Sequence, residues 1–199
     1  MAHEYPYTRK LFDYAMANPF DKVKYMMDNF DRFQNLITGY EADWKIIVQA
    51  EMRHRHEADK DELGVRVQMG GISNPTMDNA MLNIALDQAQ SENDLLHILK
   101  GTDNPIQYIK EKMIIQDMKD DYMILNNQIH ALGAGNEERL LHYLRREDLT
   151  LQMLADESHL HLASYKKLIY GIKKAVIASA VECIDLKYYI LERGKHAKE

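Results

Sequence analysis

The sequence predicts an all-α protein, and three observations support that prediction. The 199 residues include only nine glycines and four prolines, so residues that interrupt helices are rare. Hydrophobic residues make up 46% of the chain, which is enough to form a packed core. Along most of the chain the apolar residues recur every three or four positions, as they do on one face of a helix. We therefore expect an N-terminal helical region, a long antiparallel helical hairpin, and a C-terminal helix-turn-helix with an extended last helix.

Three helices are predicted in the N-terminal helical region, residues 1–63. The first covers 7–17 and ends before a proline, because the residue that precedes a proline avoids the helical conformation. The second begins near position 21, and Gly39 is expected to end it. The third covers 41–63, and its second half is nearly all charged. We expect this region to form oligomer or partner contacts.

Residues 64–75 are the clearest break in the helical pattern, because they are rich in Gly, Ser, Asn and Pro. They are predicted to be a linker or hinge before a second region, residues 76–199. The apolar spacing then predicts one helix over 76–100 and another over 105–132, joined by a short turn. Two long helices joined in this way form an antiparallel hairpin. A shorter helix is predicted over 137–146.

Residues 150–174 have the spacing of a helix-turn-helix. Thr150 is suited to cap a short first helix, and Ala155 is small enough to let a second helix approach closely. Leu160 follows as an apolar residue in the turn. The buried stripe of the second helix is predicted to consist of Tyr165, Leu168, Ile169 and Ile172.

The turn itself contains one unusual residue. His159 stands where a glycine is usual in such turns, so we expect the backbone there to be strained or rearranged. After this residue, either His161 or Ser164 can cap the second helix.

The exposed face of the second helix is predicted to bind DNA. From His159 to Lys174 there are four lysines and no acidic residue, although the whole chain has a net charge of −6. Exposed lysines suit phosphate oxygens, and the N-terminal end of a recognition helix contacts base edges in the major groove. The predicted DNA-binding residues are His161, Leu162, Ala163, Lys166, Lys167, Tyr170, Lys173 and Lys174.

Three groups of residues also resemble a known family. They are Val65-Arg66-Val67-Gln68 with Ser73-Asn74-Pro75-Thr76, the helical hairpin that follows, and Leu151-Gln152-Met153-Leu154-Ala155 with Ser164-Tyr165-Lys166-Lys167. Together they are similar to phage-encoded late-gene transcription regulators of the ArpU and RinA type, and the last group is similar to region 4 of sigma factors. The resemblance implies a sequence-specific activator that binds upstream of phage or prophage late genes, without catalysis.

The last helix is expected to continue to about Arg193 with an apolar stripe that needs a partner. Either the hairpin or a second subunit can provide it. Because DNA-binding helices of this type usually work in pairs on two half-sites, we expect a homodimer on double-stranded DNA. RNA polymerase is a further candidate partner.

No pattern in the chain predicts a catalytic residue, a cofactor or a metal site. The lone Cys183 lies in an apolar stretch and is predicted to be a core residue, which fits the reducing cytoplasm of a bacterial host cell. Asp117, Asp120 and Asp121 are predicted to form a solvated helix face. The longest nearly apolar stretch, 175–181, is too short to span a membrane, and the first residues do not predict a secretory signal.

Two other classes of function remain open. One is a non-catalytic structural or adaptor protein, such as a phage packaging component or a helical protein-interaction module. The other is an anti-repressor or inhibitor that acts through the acidic N-terminal region on a host protein.

Overall fold

The computed structural model describes residues 6–62, 84–86, 88, 94–145 and 150–196. All regular structure within these ranges is helical, which confirms the all-α prediction. The helices are α1 (Pro6–Met16), α2 (Pro19–Asp28), α3 (Phe30–Glu62), α4 (Leu95–Leu99), α5 (Pro105–His130), α6 (Ala134–Arg145), α7 (Leu151–Glu157) and α8 (Leu162–His196).

The first break between helices occurs where the sequence predicts it. The backbone turns between α1 and α2, and Asn18 caps α2 by accepting a hydrogen bond from the Asp21 N–H at 2.9 Å. A proline at the first position of a helix is favourable, because its missing N–H has no intrahelical partner there. For this reason α2 begins at Pro19, two positions before the predicted start.

The second break is not where the sequence predicts it. Gly39 does not end a helix but lies inside α3, and the chain breaks instead at Asn29, between α2 and α3. A glycine inside a helix costs only about 1 kcal/mol relative to alanine. Burial of Ile37 and Tyr40 on either side of Gly39 outweighs that penalty.

The helix predicted over 76–100 is interrupted. Asp94 is not helical, and α4 covers only the five residues from Leu95 to Leu99. The predicted linker, 64–75, lies outside the described residues. The helix predicted over 105–132 is present as α5, and α6 begins at Ala134, slightly before the predicted position.

The chain divides into two compact units. The first unit contains residues 1–11 and 38–115, and the second unit contains residues 12–37 and 116–199. Each unit therefore combines part of the N-terminal helical region with residues that follow the predicted linker.

The core of the first unit joins α3 to α5. Trp44 is buried, and its indole N–H donates to the Tyr108 carbonyl at 2.9 Å. The Lys112 ammonium lies 5.2 Å from the centre of the Trp44 ring and 2.5 Å from a Glu41 carboxylate oxygen. These contacts pair a buried cation with both a carboxylate and an aromatic face, as burial of a charge requires.

In the second unit, α2, α6 and α7 all pack on α8. The apolar stripe predicted for the last helix is buried only in part: Val176, Ala180 and Ile184 are shielded from solvent, whereas Ala175 and Leu191 are exposed. An aromatic cluster around Phe33 lies in the same unit, with the Tyr122 ring 5.3 Å away between centroids. The buried part of the stripe thus finds partners within the chain, and one of them, α2, comes from the N-terminal region.

Candidate nucleic-acid interface

The helix-turn-helix predicted from the sequence is present in the second unit. Thr150 caps α7 by accepting a hydrogen bond from the Met153 N–H at 3.3 Å. Ala155 in α7 and Tyr165 in α8 are both fully buried, so the two helices meet where the sequence places a small residue. Because α6 also packs on α8, the arrangement is a three-helix unit that ends with the proposed recognition helix.

The turn between α7 and α8 is strained at the expected residue. His159 has a φ of 54°, in the left-handed region that non-glycine residues rarely adopt. Its N–H donates to the Asp156 carbonyl at 3.0 Å, and the Leu160 N–H donates to the Ala155 carbonyl at 2.9 Å. These two hydrogen bonds form the helix-ending pattern known as the Schellman motif.

The second helix begins at Leu162, directly after His161. The His161 carbonyl accepts a hydrogen bond from the Tyr165 N–H at 2.9 Å, which is the first intrahelical bond of α8. His161, rather than Ser164, therefore holds the N-cap position.

All eight predicted DNA-binding residues lie at the start or in the first half of α8. Leu162 and Lys173 are half-buried, and Tyr170 is 70% exposed. The remaining five are also exposed: His161, Ala163, Lys166, Lys167 and Lys174.

The lysines in the first half of α8 are largely unpaired. Among the described residues, Lys166, Lys167 and Lys174 form no ion pair. The Lys173 ammonium lies 5.3 Å from the centre of the Tyr143 ring, which is a cation–π contact and leaves its charge uncompensated. Four positive charges are thus available on one helix to an anionic partner.

These residues divide between two faces of α8. Successive helical residues are about 100° apart, so Ala163, Lys167, Tyr170 and Lys174 point away from the buried stripe. Lys166 and Lys173, which are seven positions apart, lie on a flank of the helix next to α2. The outward face is open to solvent, and the flank borders a groove in the protein surface that Tyr170 and Lys174 also line.

A second set of residues, four charged side chains and two tyrosines that we call the buried ionic cluster, lies at the other end of α8. It joins α8 to α1, α2 and α5 through Tyr14, Lys22, Asp117, Asp121, Lys187 and Tyr188.

Asp121 is the centre of this cluster and is 0% exposed, so the prediction that it lies on a solvated helix face is wrong. Its carboxylate accepts a hydrogen bond from the Tyr14 hydroxyl at 3.0 Å. It also lies 2.5 Å from the Lys187 ammonium and 3.8 Å from the Lys22 ammonium. A buried carboxylate needs such partners, and these come from helices far apart in sequence. Asp117 is partly exposed and bonds to Lys187 at 3.2 Å.

The pKa values in the cluster follow from burial and charge. Burial lowers the pKa of Lys22, since Asp121 compensates only in part. Burial also disfavours the charged form of Lys187, but hydrogen bonds to Asp121 and Asp117 outweigh it and raise its pKa. Burial, followed by the negative charge of Asp121, raises the pKa of Tyr14 and of Tyr188. The cluster therefore keeps its two tyrosines protonated at any ordinary pH.

Within the described ranges, no three or more His, Cys, Asp or Glu side chains lie together in a way that can hold a metal ion. None of the helices in that part of the chain is long and apolar enough to cross a membrane. Cys183 is half-buried, and its sulfur accepts a hydrogen bond from the Gln128 side chain at 3.5 Å.

Comparison of the chain with protein-family models, with curated proteins and with solved structures finds no match. The likeness to phage late-gene regulators therefore rests on the motifs of the sequence alone.

Proposed function

We propose that this protein binds a specific site on double-stranded DNA through the first half of α8 and regulates transcription. The observation that supports this most strongly is the row of lysines in the first half of α8, with no acidic residue among them in the sequence. No aspartate or glutamate occurs between His159 and Lys174, in a protein whose net charge is −6. Phosphate contacts dominate the affinity of proteins for DNA, and a local positive face provides them whatever the total charge.

The three-helix arrangement supports the same proposal. A recognition helix needs a rigid base, which α6 and α7 provide by packing on the buried side of α8. Its N-terminal end must be open to the major groove, and His161 and Ala163 are exposed there. In this account the lysines bind phosphate oxygens and the residues at the start of α8 contact base edges.

We further propose that the protein is a phage or prophage late-gene activator. It acts as a homodimer in the cytoplasm of a bacterial host cell. The far end of α8 supports pairing, because it exposes large apolar and aromatic side chains that a second copy can cover. These are Leu186, Tyr189, Ile190 and Leu191. RNA polymerase is a further proposed partner.

A charge-reversal experiment tests the DNA face. In a gel-shift assay with DNA from around its own operon, the wild type should give a discrete complex whose site a footprint locates. The double variant Lys166→Glu with Lys167→Glu should weaken binding by at least about 100-fold, since charge-assisted phosphate contacts become repulsive.

The control variant combines Lys10→Glu with Lys110→Glu. Both residues are exposed and lie in the first unit, so the change in net charge is the same. The control should bind DNA nearly as well as the wild type. Equal losses of DNA affinity in the two double variants would mean that the net charge of the protein determines binding and that the assigned face is wrong.

A second candidate function is a non-catalytic structural or adaptor protein, such as a packaging component or an interaction module. It is favoured by the first unit, residues 1–11 and 38–115, which contributes nothing to the helix-turn-helix. In that case the lysine face binds a protein, and the footprint shows no protected DNA segment.

A further inference from the structure

An apolar groove runs along the flank of α8 beside the proposed DNA face. It encloses about 660 Å³ and lies between α8, α2, α6 and α7. Its lining is predominantly apolar, and the aliphatic and aromatic side chains that form this lining are Phe20, Met27, Tyr143, Leu151, Ile169, Tyr170 and Ile177.

Charged groups border the same groove, and nearly all of them are positive. The residues are Lys24, Lys166, Lys173, Lys174 and the single acid Asp28. Lys24, Lys166 and Lys174 form no ion pair among the described residues, and Lys173 faces an aromatic ring instead of a carboxylate. The border therefore has an uncompensated positive charge next to an apolar lining.

We propose that this groove binds a small apolar anion, namely an aliphatic or aromatic carboxylate. Sites for small organic molecules typically enclose about 300–1,000 Å³ and combine apolar walls with a few polar groups, as this groove does. The apolar body of the ligand leaves water by packing on the lining. Its carboxylate pairs with the lysines, and these ion pairs offset the hydration that the ammonium groups lose, which a neutral ligand cannot do.

The bound anion competes with DNA, an effect that depends on the proposed function. Lys166, Tyr170, Lys173 and Lys174 belong both to the groove and to the predicted DNA face. A carboxylate held by these lysines neutralises charges that phosphate oxygens otherwise use. Couplings between two ligands typically change affinity by 5–150-fold, and the effect is reciprocal. We expect saturating anion to weaken DNA binding by about tenfold.

Titration calorimetry with the full-length protein tests the site without DNA. Decanoate is the probe, and it should bind with a stoichiometry of one per chain. Acetate lacks the apolar body and should give no detectable heat, whereas 1-decanol lacks the charge and should bind at least about tenfold more weakly. Absence of decanoate binding, equal binding of decanol, or many weak sites per chain would each overturn the proposal.

Two variants that avoid the DNA face locate the site. Phe20 is 53% exposed and Lys24 is exposed, so Phe20→Ala and Lys24→Gln are expected to fold normally. Each should weaken decanoate binding at least about fivefold, through lost apolar contact and lost charge respectively. The matched controls are Met16→Ala and Lys10→Gln, both exposed and outside the groove, and they should bind decanoate like the wild type. Unchanged binding in both groove variants would show that decanoate binds elsewhere.

The variant Lys167→Glu distinguishes carboxylate binding in the groove from DNA binding by α8. Lys167 lies on the outward face of α8 and does not line the groove, so this variant should lose DNA affinity and keep decanoate affinity. If the wild type binds decanoate but no DNA, the proposed function fails and the ligand site stands. If it binds both and decanoate leaves the DNA affinity unchanged, the competition is refuted.

Discussion

The two halves of α8 use lysine in opposite ways. In the first half, Lys166 and Lys167 are exposed and form no ion pair among the described residues. In the second half, Lys187 is half-buried and is bonded to Asp117 and Asp121 of α5. The difference arises from the neighbouring helix rather than from α8. A lysine is available to a partner only where no carboxylate packs against it.

The same contrast occurs within α2. Lys22 is buried and lies 3.8 Å from Asp121, whereas Lys24, two positions later, is exposed on the border of the groove. A shift of two residues moves a side chain to the other side of a helix. The buried ionic cluster should therefore govern stability, and the exposed lysines should govern binding.

The largest effect on stability should come from removing the centre of the cluster. Asp121→Ala leaves Lys22 and Lys187 without their shared carboxylate, and breaking a buried ion pair in this way costs about 3–5 kcal/mol. Urea unfolding followed by circular dichroism measures the loss. Lys167→Ala is the matched control and should change the free energy of unfolding by less than about 0.5 kcal/mol. If Asp121→Ala lowers the free energy of unfolding by less than about 1 kcal/mol, the buried ionic cluster is solvated. The contrast between the two halves of α8 would then fail.

At the turn before α8, a substitution is expected to raise the free energy of unfolding rather than lower it, by a smaller amount. His159→Gly should raise the free energy of unfolding by about 1 kcal/mol, because glycine adopts the left-handed conformation without steric cost. For a protein of this size the melting temperature should rise by roughly 2–4 °C. Ser158→Gly serves as the control, since the φ of Ser158 is −79° and no strain is relieved there. A lower melting temperature for His159→Gly would mean that the imidazole makes a stabilising contact.

The smallest effect should follow from Tyr165→Phe. Tyr165 is fully buried, burial raises its pKa, and its hydroxyl has no hydrogen-bond partner among the described residues. Removing an unpaired buried hydroxyl is nearly neutral, so the free energy of unfolding should change by less than about 0.5 kcal/mol. A loss above about 1.5 kcal/mol in thermal or urea unfolding would show that this hydroxyl is paired in solution.

The sequence was sufficient to predict the features that depend on local spacing. The all-α fold, the α7–turn–α8 unit and the strained His159 all follow from residues close together in the chain. Lys166, Lys167 and Lys174 are exposed as predicted, because the period of the buried stripe determines which residues face outward, whereas Lys173 is half-buried.

Features that depend on distant contacts were not predictable in this way. Asp121 is polar in a helix of mixed character, and nothing near it in sequence indicates that Lys22 and Lys187 will surround it. The groove was missed for the same reason, because Phe20 and Ile177 meet only when α2 packs on α8.

The salt dependence of DNA binding is the most direct test of whether the lysines of α8 contact phosphate. For a protein that neutralises phosphates with lysines, the logarithm of affinity falls linearly with the logarithm of salt concentration, by about 0.9 per phosphate contact. Replacing Lys166 and Lys167 by glutamine should reduce this slope by about 1.8, while the folded structure is unchanged. An unchanged slope, or no DNA binding by the wild type at about 50 mM salt, would contradict this prediction.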